Sequence, residues 1–177
     1  MKTRIIELLK TVNREGMDKL IEALENGPFF TDPASAMYHG SYEGGLAEHS
    51  LAVYEELVKL TGRDDDTVKI VGLLHDICKI GTYSVEYRNA KNENGQWECV
   101  PYYKAVGDDF PYGHGEKSVL LISKYIKLTI EEMMAIRWHM GPYESDKIWR
   151  DLEKAQTKWP LVMYAHFADV IATRLRA

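Results

Sequence analysis

The sequence predicts an all-α fold in which about seven helices form a bundle and one β-hairpin interrupts them. Apolar residues recur at helical spacing along most of the 177 residues, and glycine and proline separate these segments. Only in residues 82–106 do aromatic and β-branched residues alternate with other residues, as is typical of β-strands. Because 45% of the residues are hydrophobic and no long linker interrupts them, we expect a single domain over residues 1–177.

Two amphipathic helices are predicted at the start of the chain, within residues 1–26. Leucine and isoleucine recur at helical spacing over residues 3–25, and Gly16 marks the break between the helices. Residues 26–45 then contain six glycines and prolines, which disfavour regular structure. We therefore expect an ordered loop there.

Two further helices follow this loop. The first is predicted over residues 46–60. The second begins at the aspartates of positions 64–66, whose charges suit the positive end of a helix dipole. Its apolar spacing continues through Ile77, and Gly81 is expected to stop it.

The hairpin and the remaining helices complete the fold. Residues 82–106 contain two runs rich in tyrosine, valine and tryptophan on either side of Asn94 and Gly95, which indicates a β-hairpin. Helical spacing returns in four later segments: residues 115–127, 130–139, 146–155 and 160–174. Pro160 suits the first turn of the last helix.

Composition limits the function classes. A net charge of −5 and a pI near 5.7 provide no basic field for long duplex nucleic acid, so a small anionic substrate fits better if metal ions offset the local charge. Residues 1–10 lack the length and cleavage site of a signal peptide, and no apolar run approaches about 18 residues. Cys78 and Cys99 form no disulfide framework. We expect a cytoplasmic protein that binds no membrane, with both cysteines structural.

The strongest local signal is the adjacent pair His75 and Asp76 at the end of an apolar helix. A buried carboxylate needs a compensating partner, and a metal ion supplies one. Imidazole and carboxylate together suit Mn, Fe, Co, Ni or Zn. Lys79 follows one turn later on the same face, where it could meet a phosphate. The sequence thus predicts Asp76 and Lys79 as catalytic residues.

Other polar residues of the same types occur in or beside predicted helices. They are His49, His114 and His139, and, in the last helix, His166 and Asp169 at i, i+3 spacing. Each is a weak signal when taken alone, and together they form an ordered series of ligand candidates.

This series resembles the H…HD…D pattern of the HD superfamily of metal-dependent phosphohydrolases, from about residue 39 to residue 169. The run HGSYEGGLAEHS, residues 39–50, is similar to the H-x-x-x-x-GGL-x-EHS run of HD domains in certain bacterial 3′-to-5′ exoribonucleases and conjugative relaxase-associated proteins. The runs GHGEKS and WHMG resemble those of the subgroup with two extra histidines. The fold implied is an HD-domain helical bundle.

The resemblance also implies roles for individual residues. One divalent ion would be held by His49, His75, Asp76 and Asp169. A second would be held by His114 and His139, with Asp76 bridging the two ions. Lys79 would orient or polarise the phosphate of a small phosphorylated substrate, such as a nucleotide or a short oligonucleotide.

Several residues have alternative interpretations. His114 could instead be capped by its neighbours, and His139 could satisfy helix-end carbonyls. His39 either touches substrate or is a solvated loop residue, and His166 is favoured as a hydrogen-bond partner of a ligand. Arg137 and Arg174 flank the ligand candidates, and each could bind a second phosphate of the substrate or be an ordinary solvated helix arginine.

Two further features also remain open. Lys79 could contact a phosphate or be a plain surface lysine. The hairpin aromatics could stack a base or pack on the helices. The set comprises Tyr83, Tyr87, Trp97, Tyr102 and Tyr103.

Three functions are compatible with this pattern. The first is hydrolysis of a phosphoester in a nucleotide or short phosphodiester by a metal-activated hydroxide. The second is a di-iron HD-type oxygenase, which uses the same ligands. The third is a non-catalytic nucleotide-binding HD module, whose usual mark would be a missing ligand.

Overall fold

Helices account for most of the structure, a computed structural model that describes residues 1–107, 110–141 and 149–175. The eight α-helices of these residues are α1 (Lys2–Lys10), α2 (Met17–Asn26), α3 (Gly45–Thr61), α4 (Asp66–Leu74), α5 (His114–Ser123), α6 (Ile130–Arg137), α7 (Trp149–Lys158) and α8 (Leu161–Leu175). Strands β1 (Tyr83–Lys91) and β2 (Trp97–Ala105) form the hairpin. The predicted helical fold with one inserted hairpin is confirmed.

Helix α3 lies at the centre of the bundle and packs against both α4 and α8. Leu46, Val53 and Leu57 of α3 are buried in the main core. Gly72 of α4 allows close approach, because a Cβ atom there would lie 2.5 Å from the Cα atom of Tyr54 in α3. The helix that carries His49 and the helix that ends just before His75 are therefore held in tight contact.

Helices α1 and α2 pack on the same core, with Gly16 between them as predicted. Arg14, between the two helices, forms two hydrogen bonds with the buried carboxylate of Glu132 in α6, at 2.7 and 3.2 Å. Glu132 also accepts hydrogen bonds from the Thr67 hydroxyl and the Thr129 amide. This network fastens the N-terminal helices to the rest of the bundle.

Helix α4 starts as predicted and ends earlier than predicted. The Asp65 side chain caps it by accepting a hydrogen bond from the Val68 amide at 3.1 Å. The apolar spacing predicts a helix through Ile77, but Asp76 leaves helical geometry at φ −105°, ψ 16°, and a 3₁₀ turn, Ile77–Lys79, follows. The break therefore occurs at the pair of ligand candidates, His75 and Asp76.

The hairpin pairs its strands antiparallel, from Tyr83 opposite Ala105 to Lys91 opposite Trp97. At its tip, the Asn92 side-chain oxygen accepts hydrogen bonds from two backbone amides, and Gly95 takes the left-handed conformation at φ 77°. The base of the hairpin lies next to the 3₁₀ turn, because the amide and the hydroxyl of Thr82 both donate to the carbonyl of Lys79, at 3.1 and 2.7 Å.

Two of the later helices, α5 and α6, end earlier than the spacing predicts, whereas α7 extends to Lys158 and α8 to Leu175. Helix α5 ends at Ser123 rather than near residue 127, and α6 ends at Arg137 rather than at residue 139. A capping box of Thr129 and Glu132 begins α6. The predicted start of the next helix, at residue 146, lies outside the described residues. In the part of the chain that the structure describes, no helix has the length and apolarity needed to cross a bilayer.

Candidate metal centre

The predicted ligand side chains come together at the middle of the bundle. They are contributed by α3, by the end of α4, by the start of α5, by the turn after α6 and by α8. In chain order they are His49, His75, Asp76, His114, His139 and Asp169.

One group of ligand candidates faces the Oδ2 atom of Asp76. His49 Nε2 lies 3.4 Å from this oxygen and 3.3 Å from His75 Nε2, and His75 Nε2 lies 3.5 Å from the oxygen. The donor atoms of these three residues all lie within 4.8 Å of one another. Asp169 contacts this group through His49, because its Oδ1 atom lies 3.1 Å from His49 Nε2. The group can hold one cation, with Asp169 at its edge.

A second group faces the other oxygen of the same carboxylate. His114 Nε2 lies 2.6 Å from Asp76 Oδ1, and His139 Nε2 lies 3.4 Å from it. These donor atoms also fall within 4.8 Å of one another. Each oxygen of Asp76 therefore faces its own pair of imidazole nitrogens, which is the arrangement that a bridging carboxylate requires.

Backbone hydrogen bonds set the orientation of two of these histidines. The Nδ1–H of His75 donates to the Gly72 carbonyl at 3.0 Å, and that of His139 donates to the Ile136 carbonyl at 2.7 Å. In both rings the Nε2 atom is then left with a lone pair directed into the cluster. His139 Nε2 is buried without a hydrogen-bond partner among the described residues. An orphaned lone pair of this kind fits a metal ligand.

The electrostatics of the cluster favour ionised carboxylates. Burial disfavours the Asp76 carboxylate, but the Lys79 charge and the hydrogen bond with His114 outweigh this effect and hold its pKa well below the usual range. For Asp169, burial is likewise outweighed, chiefly by the hydrogen bond with His49, which lowers the pKa. Burial lowers the pKa of His75 and keeps its ring neutral. Neutral imidazole and ionised carboxylate are the forms that bind metals.

Lys79 lies where the sequence predicts it, one turn beyond Asp76. Its Nζ atom is 2.7 Å from Asp76 Oδ2. Burial alone would lower the pKa of Lys79, but the Asp76 carboxylate outweighs burial and raises it. The side chain is thus a charged ammonium group at the centre rather than a plain surface lysine.

His39 lies beside the centre and does not reach Asp76 in any described contact. Its ring centroid is 4.9 Å from that of His49, and both of its ring nitrogens are buried without a hydrogen-bond partner among the described residues. Burial, reinforced by His49 and Lys79, lowers the pKa of His39 to about 4, so the ring is neutral. A neutral imidazole with unused nitrogens can donate to or accept from a ligand, and its substrate role stays a prediction.

The two arginines are placed differently from one another. Arg137 Nε lies 2.5 Å from Glu116 Oε1, and its guanidinium stacks over the Trp138 ring at 4.0 Å. Arg174 is exposed on α8. The structure therefore places the Arg137 guanidinium in a protein ion pair, and the assignment of this residue to substrate binding stays a prediction.

Supporting contacts surround the ligand candidates. His166 Nδ1 donates to the His139 carbonyl at 2.8 Å, as expected of a hydrogen-bond partner of a ligand. Cys78 was not predicted at the site, yet its Sγ atom lies 3.4 Å from His114 Nδ1, and its amide donates to Ser118 Oγ. Burial raises the pKa of Cys78 to about 12. The position of Cys78 in the sequence, between Asp76 and Lys79, is the signal that could have indicated its place at the site.

The fold and the site together place this chain in a class of helical proteins: those that carry a buried cluster of histidine and aspartate able to hold metal ions. A family model described as HD domain matches residues 46–174, so the chain belongs to the HD domain family. The match includes all six ligand candidates, whereas His39 and helices α1 and α2 lie outside it. No curated protein and no solved structure matches the chain. The HD domain places the chain in a superfamily of metal-dependent phosphohydrolases.

Proposed function

We propose that the chain is a metal-dependent phosphohydrolase that cleaves a phosphoester bond in a nucleotide or a short phosphodiester. The observation that supports this most directly is the division of the Asp76 carboxylate between two pairs of imidazole nitrogens, with the Lys79 ammonium group 2.7 Å from one of its oxygens. Metal ligands and a phosphate-binding cation are thus adjacent. The net charge of −5 supports a small substrate over long duplex nucleic acid.

The residues divide into two proposed ligand sets. His49, His75, Asp76 and Asp169 would hold one divalent ion, and His114, His139 and the second oxygen of Asp76 would hold another. Mn, Fe, Co, Ni and Zn suit these donors. Such ions, when bound, activate water as a nucleophile and offset the charge that develops on a phosphoryl oxygen.

The protein's own side chains would orient the reaction. The Lys79 charge and the hydrogen bond with His114 hold the pKa of Asp76 low, so its ionised carboxylate would be available as a ligand to both ions. Lys79 carries its charge beside Asp76 and can pair with a phosphate oxygen of the substrate. The backbone hydrogen bonds of His75 and His139 fix their Nε2 atoms toward the reacting group. These contacts position the ligands before the substrate binds.

The test combines metal analysis with a panel of phosphoesters. Purified protein is loaded separately with Mn, Co, Ni, Fe and Zn and incubated with nucleoside mono- and triphosphates, cyclic nucleotides and short oligonucleotides. Asp169→Asn should reduce metal content and lower kcat/KM by at least about 100-fold, because even second-shell changes cost about 10- to 100-fold. Asp151→Asn, an exposed aspartate of α7, is the matched control and should leave both unchanged.

Three outcomes would reject this function. Wild-type protein that binds these metals and hydrolyses no member of the panel is not the proposed enzyme. Oxygen consumption that requires iron would instead support the di-iron oxygenase. Hydrolysis of a phosphoester with redox-inert zinc would exclude the oxygenase. A non-catalytic module would bind nucleotide equally well after His75→Ala and would hold no metal in the wild type.

A further inference from the structure

A cleft of about 690 Å³ lies between the hairpin and the loop that precedes α3. We refer to it as the hairpin cleft. Its lining includes six apolar or aromatic residues, which are Met37, Tyr42, Val85, Pro101, Tyr102 and Tyr103. Small-molecule sites in proteins have volumes of about 300–1,000 Å³ and are lined mainly by hydrophobic and aromatic side chains. The hairpin cleft therefore has the size and the lining of a ligand site.

The hairpin cleft borders the candidate metal centre through Tyr42. This residue also lines a second cavity, of about 260 Å³, whose lining includes His39 and the ligand candidate His49. The Tyr42 hydroxyl is hydrogen-bonded to the side chain of Glu48, which precedes His49 in α3. A molecule that is held at the centre can therefore extend past Tyr42 into the cleft.

Both walls of the cleft are fastened to the segment that follows Asp76. On the loop side, the Asp32 carboxylate accepts a hydrogen bond from the Gly81 amide at 2.6 Å. On the hairpin side, the amide and the hydroxyl of Thr82 donate to the Lys79 carbonyl. The segment that carries Lys79 thus sets the position of the cleft relative to the centre.

Four residues of the cleft lie together on one face of the hairpin. Val85 pairs directly with Tyr103, and alternate residues of a strand share a face. Pro101 and Ala105 therefore lie beside Tyr103 on this face. Val85 is 52% exposed, and Met37, from the loop wall, is 76% exposed. Contiguous exposed apolar surface of this kind is typical of ligand-binding grooves in soluble proteins.

The charges of the hairpin cleft favour an uncharged ring over a further phosphoryl group. Of the two basic residues in its lining, Lys104 is already paired with Glu86 at 3.0 Å. The other, Arg88, has its guanidinium 5.2 Å from the ring centroid of Tyr102, and the lining also carries the carboxylate of Glu43. Because aromatic side chains bind flat rings by stacking, the occupant that fits this lining is a nucleobase.

We propose that the hairpin cleft binds the nucleobase of the substrate, with the Tyr103 ring stacked on the base. This inference rests on the proposed function, because the phosphoryl group of the same molecule is placed at the metal centre. The substrate class is then a nucleotide or a short oligonucleotide, rather than a phosphate ester that carries no base. Tyr103 determines specificity in this arrangement and takes no part in bond cleavage.

The test measures binding of the 5′-phosphonates of adenosine, uridine and ribose to the full-length, metal-loaded protein by calorimetry. A carbon atom replaces the ester oxygen in these analogues, so that bond cannot be hydrolysed during the measurement. Wild type should bind both nucleoside phosphonates at least about tenfold more tightly than the ribose phosphonate. Tyr103→Ala should weaken only the nucleoside phosphonates, because loss of one aromatic stack on a base costs about 5- to 150-fold in affinity.

Three further variants separate stacking from a general effect on the hairpin. Tyr103→Phe keeps the ring and should retain the preference for nucleosides. Tyr87→Ala is the matched control, because Tyr87 lies on the same face of the hairpin but outside the cleft lining and is 69% exposed; it should change none of the three affinities. Met37→Ala alters the loop wall without touching the hairpin and should weaken only the nucleoside phosphonates.

The outcomes separate this inference from the proposed function. Equal affinities of wild type for the three phosphonates, an equal loss of all three in Tyr103→Ala, or an equal effect of Tyr87→Ala would overturn it. So would a wild-type dimer that Tyr103→Ala and Met37→Ala dissociate without changing any affinity, because a second copy would then cover the cleft. Phosphoester hydrolysis by wild type would still support the proposed function in these cases. If wild type hydrolyses nothing while the selective loss is observed, the cleft stands as a nucleoside site and the proposed hydrolysis fails.

Discussion

Removal of the Glu132 carboxylate should destabilise the fold more than removal of any neighbouring surface charge. The Glu132 side chain has no exposed surface and accepts hydrogen bonds from Arg14, Thr67 and the Thr129 amide. Glu132→Ala leaves these donors without an acceptor, and breaking a buried ion pair from one side costs about 3–5 kcal/mol. Because the Arg14 side chain keeps 22% exposure and can turn toward water, we expect the lower end of this range.

The assay is thermal and urea unfolding of the whole chain. For a protein of this size, each 1 kcal/mol shifts Tm by about 2–4 °C, so a loss of about 3 kcal/mol lowers Tm by about 6–12 °C. Glu131→Ala is the matched control. Its carboxylate is 32% exposed and 3.8 Å from Arg63, and exposed pairs contribute about 0–1 kcal/mol. Equal effects of the two substitutions would refute the argument from the buried network.

Two further predictions concern the position of α4. Asp65→Ala should lower the free energy of unfolding by about 1 kcal/mol through loss of the helix cap, whereas Asp65→Asn should retain most of it. Although burial opposes ionisation, the hydrogen bond with Arg63 lowers the pKa of Asp65, so the charge-dependent part of this stability is present above the unfolded-state pKa and is lost as the pH falls through the folded-state pKa. Urea unfolding of wild type and Asp65→Asn should therefore differ less at acidic pH than at neutral pH, and a difference that grows in acid would contradict the assignment. Gly72→Ala should cost about 1–3 kcal/mol, because its Cβ would meet the Tyr54 backbone, while Gly107→Ala has open space and should cost less; comparable melting temperatures for the two would show that α3 and α4 are less tightly packed.

The sequence predicts the ligand candidates better than it predicts their geometry. His75 and Asp76 could be named because adjacent polar residues at the end of an apolar helix are costly without a partner. The way in which Asp76 divides its oxygens between two histidine pairs depends on the backbone at φ −105°, which ends α4 three residues before the apolar spacing does. Hydrophobic spacing continues through this break and gives no sign of it.

Long-range contacts were equally beyond prediction. The spacing of Thr129 and Glu132 is that of a capping box and can be recognised locally. No local pattern indicates that Arg14, 118 residues away, completes the network around the same carboxylate. The position of the hairpin is a similar case, because alternation of residues within it specifies only the pairing of its strands and not the elements that its base contacts.

The distribution of the ligand candidates along the chain has a consequence for biosynthesis. His49 belongs to α3, whereas Asp169 belongs to α8, the last helix that packs on it. A nascent polypeptide still attached to the ribosome at residue 160 has neither this carboxylate nor the helix that covers α3. Assembly of the candidate ligand set is therefore postponed until translation has passed α8, and an unfinished chain carries no complete centre.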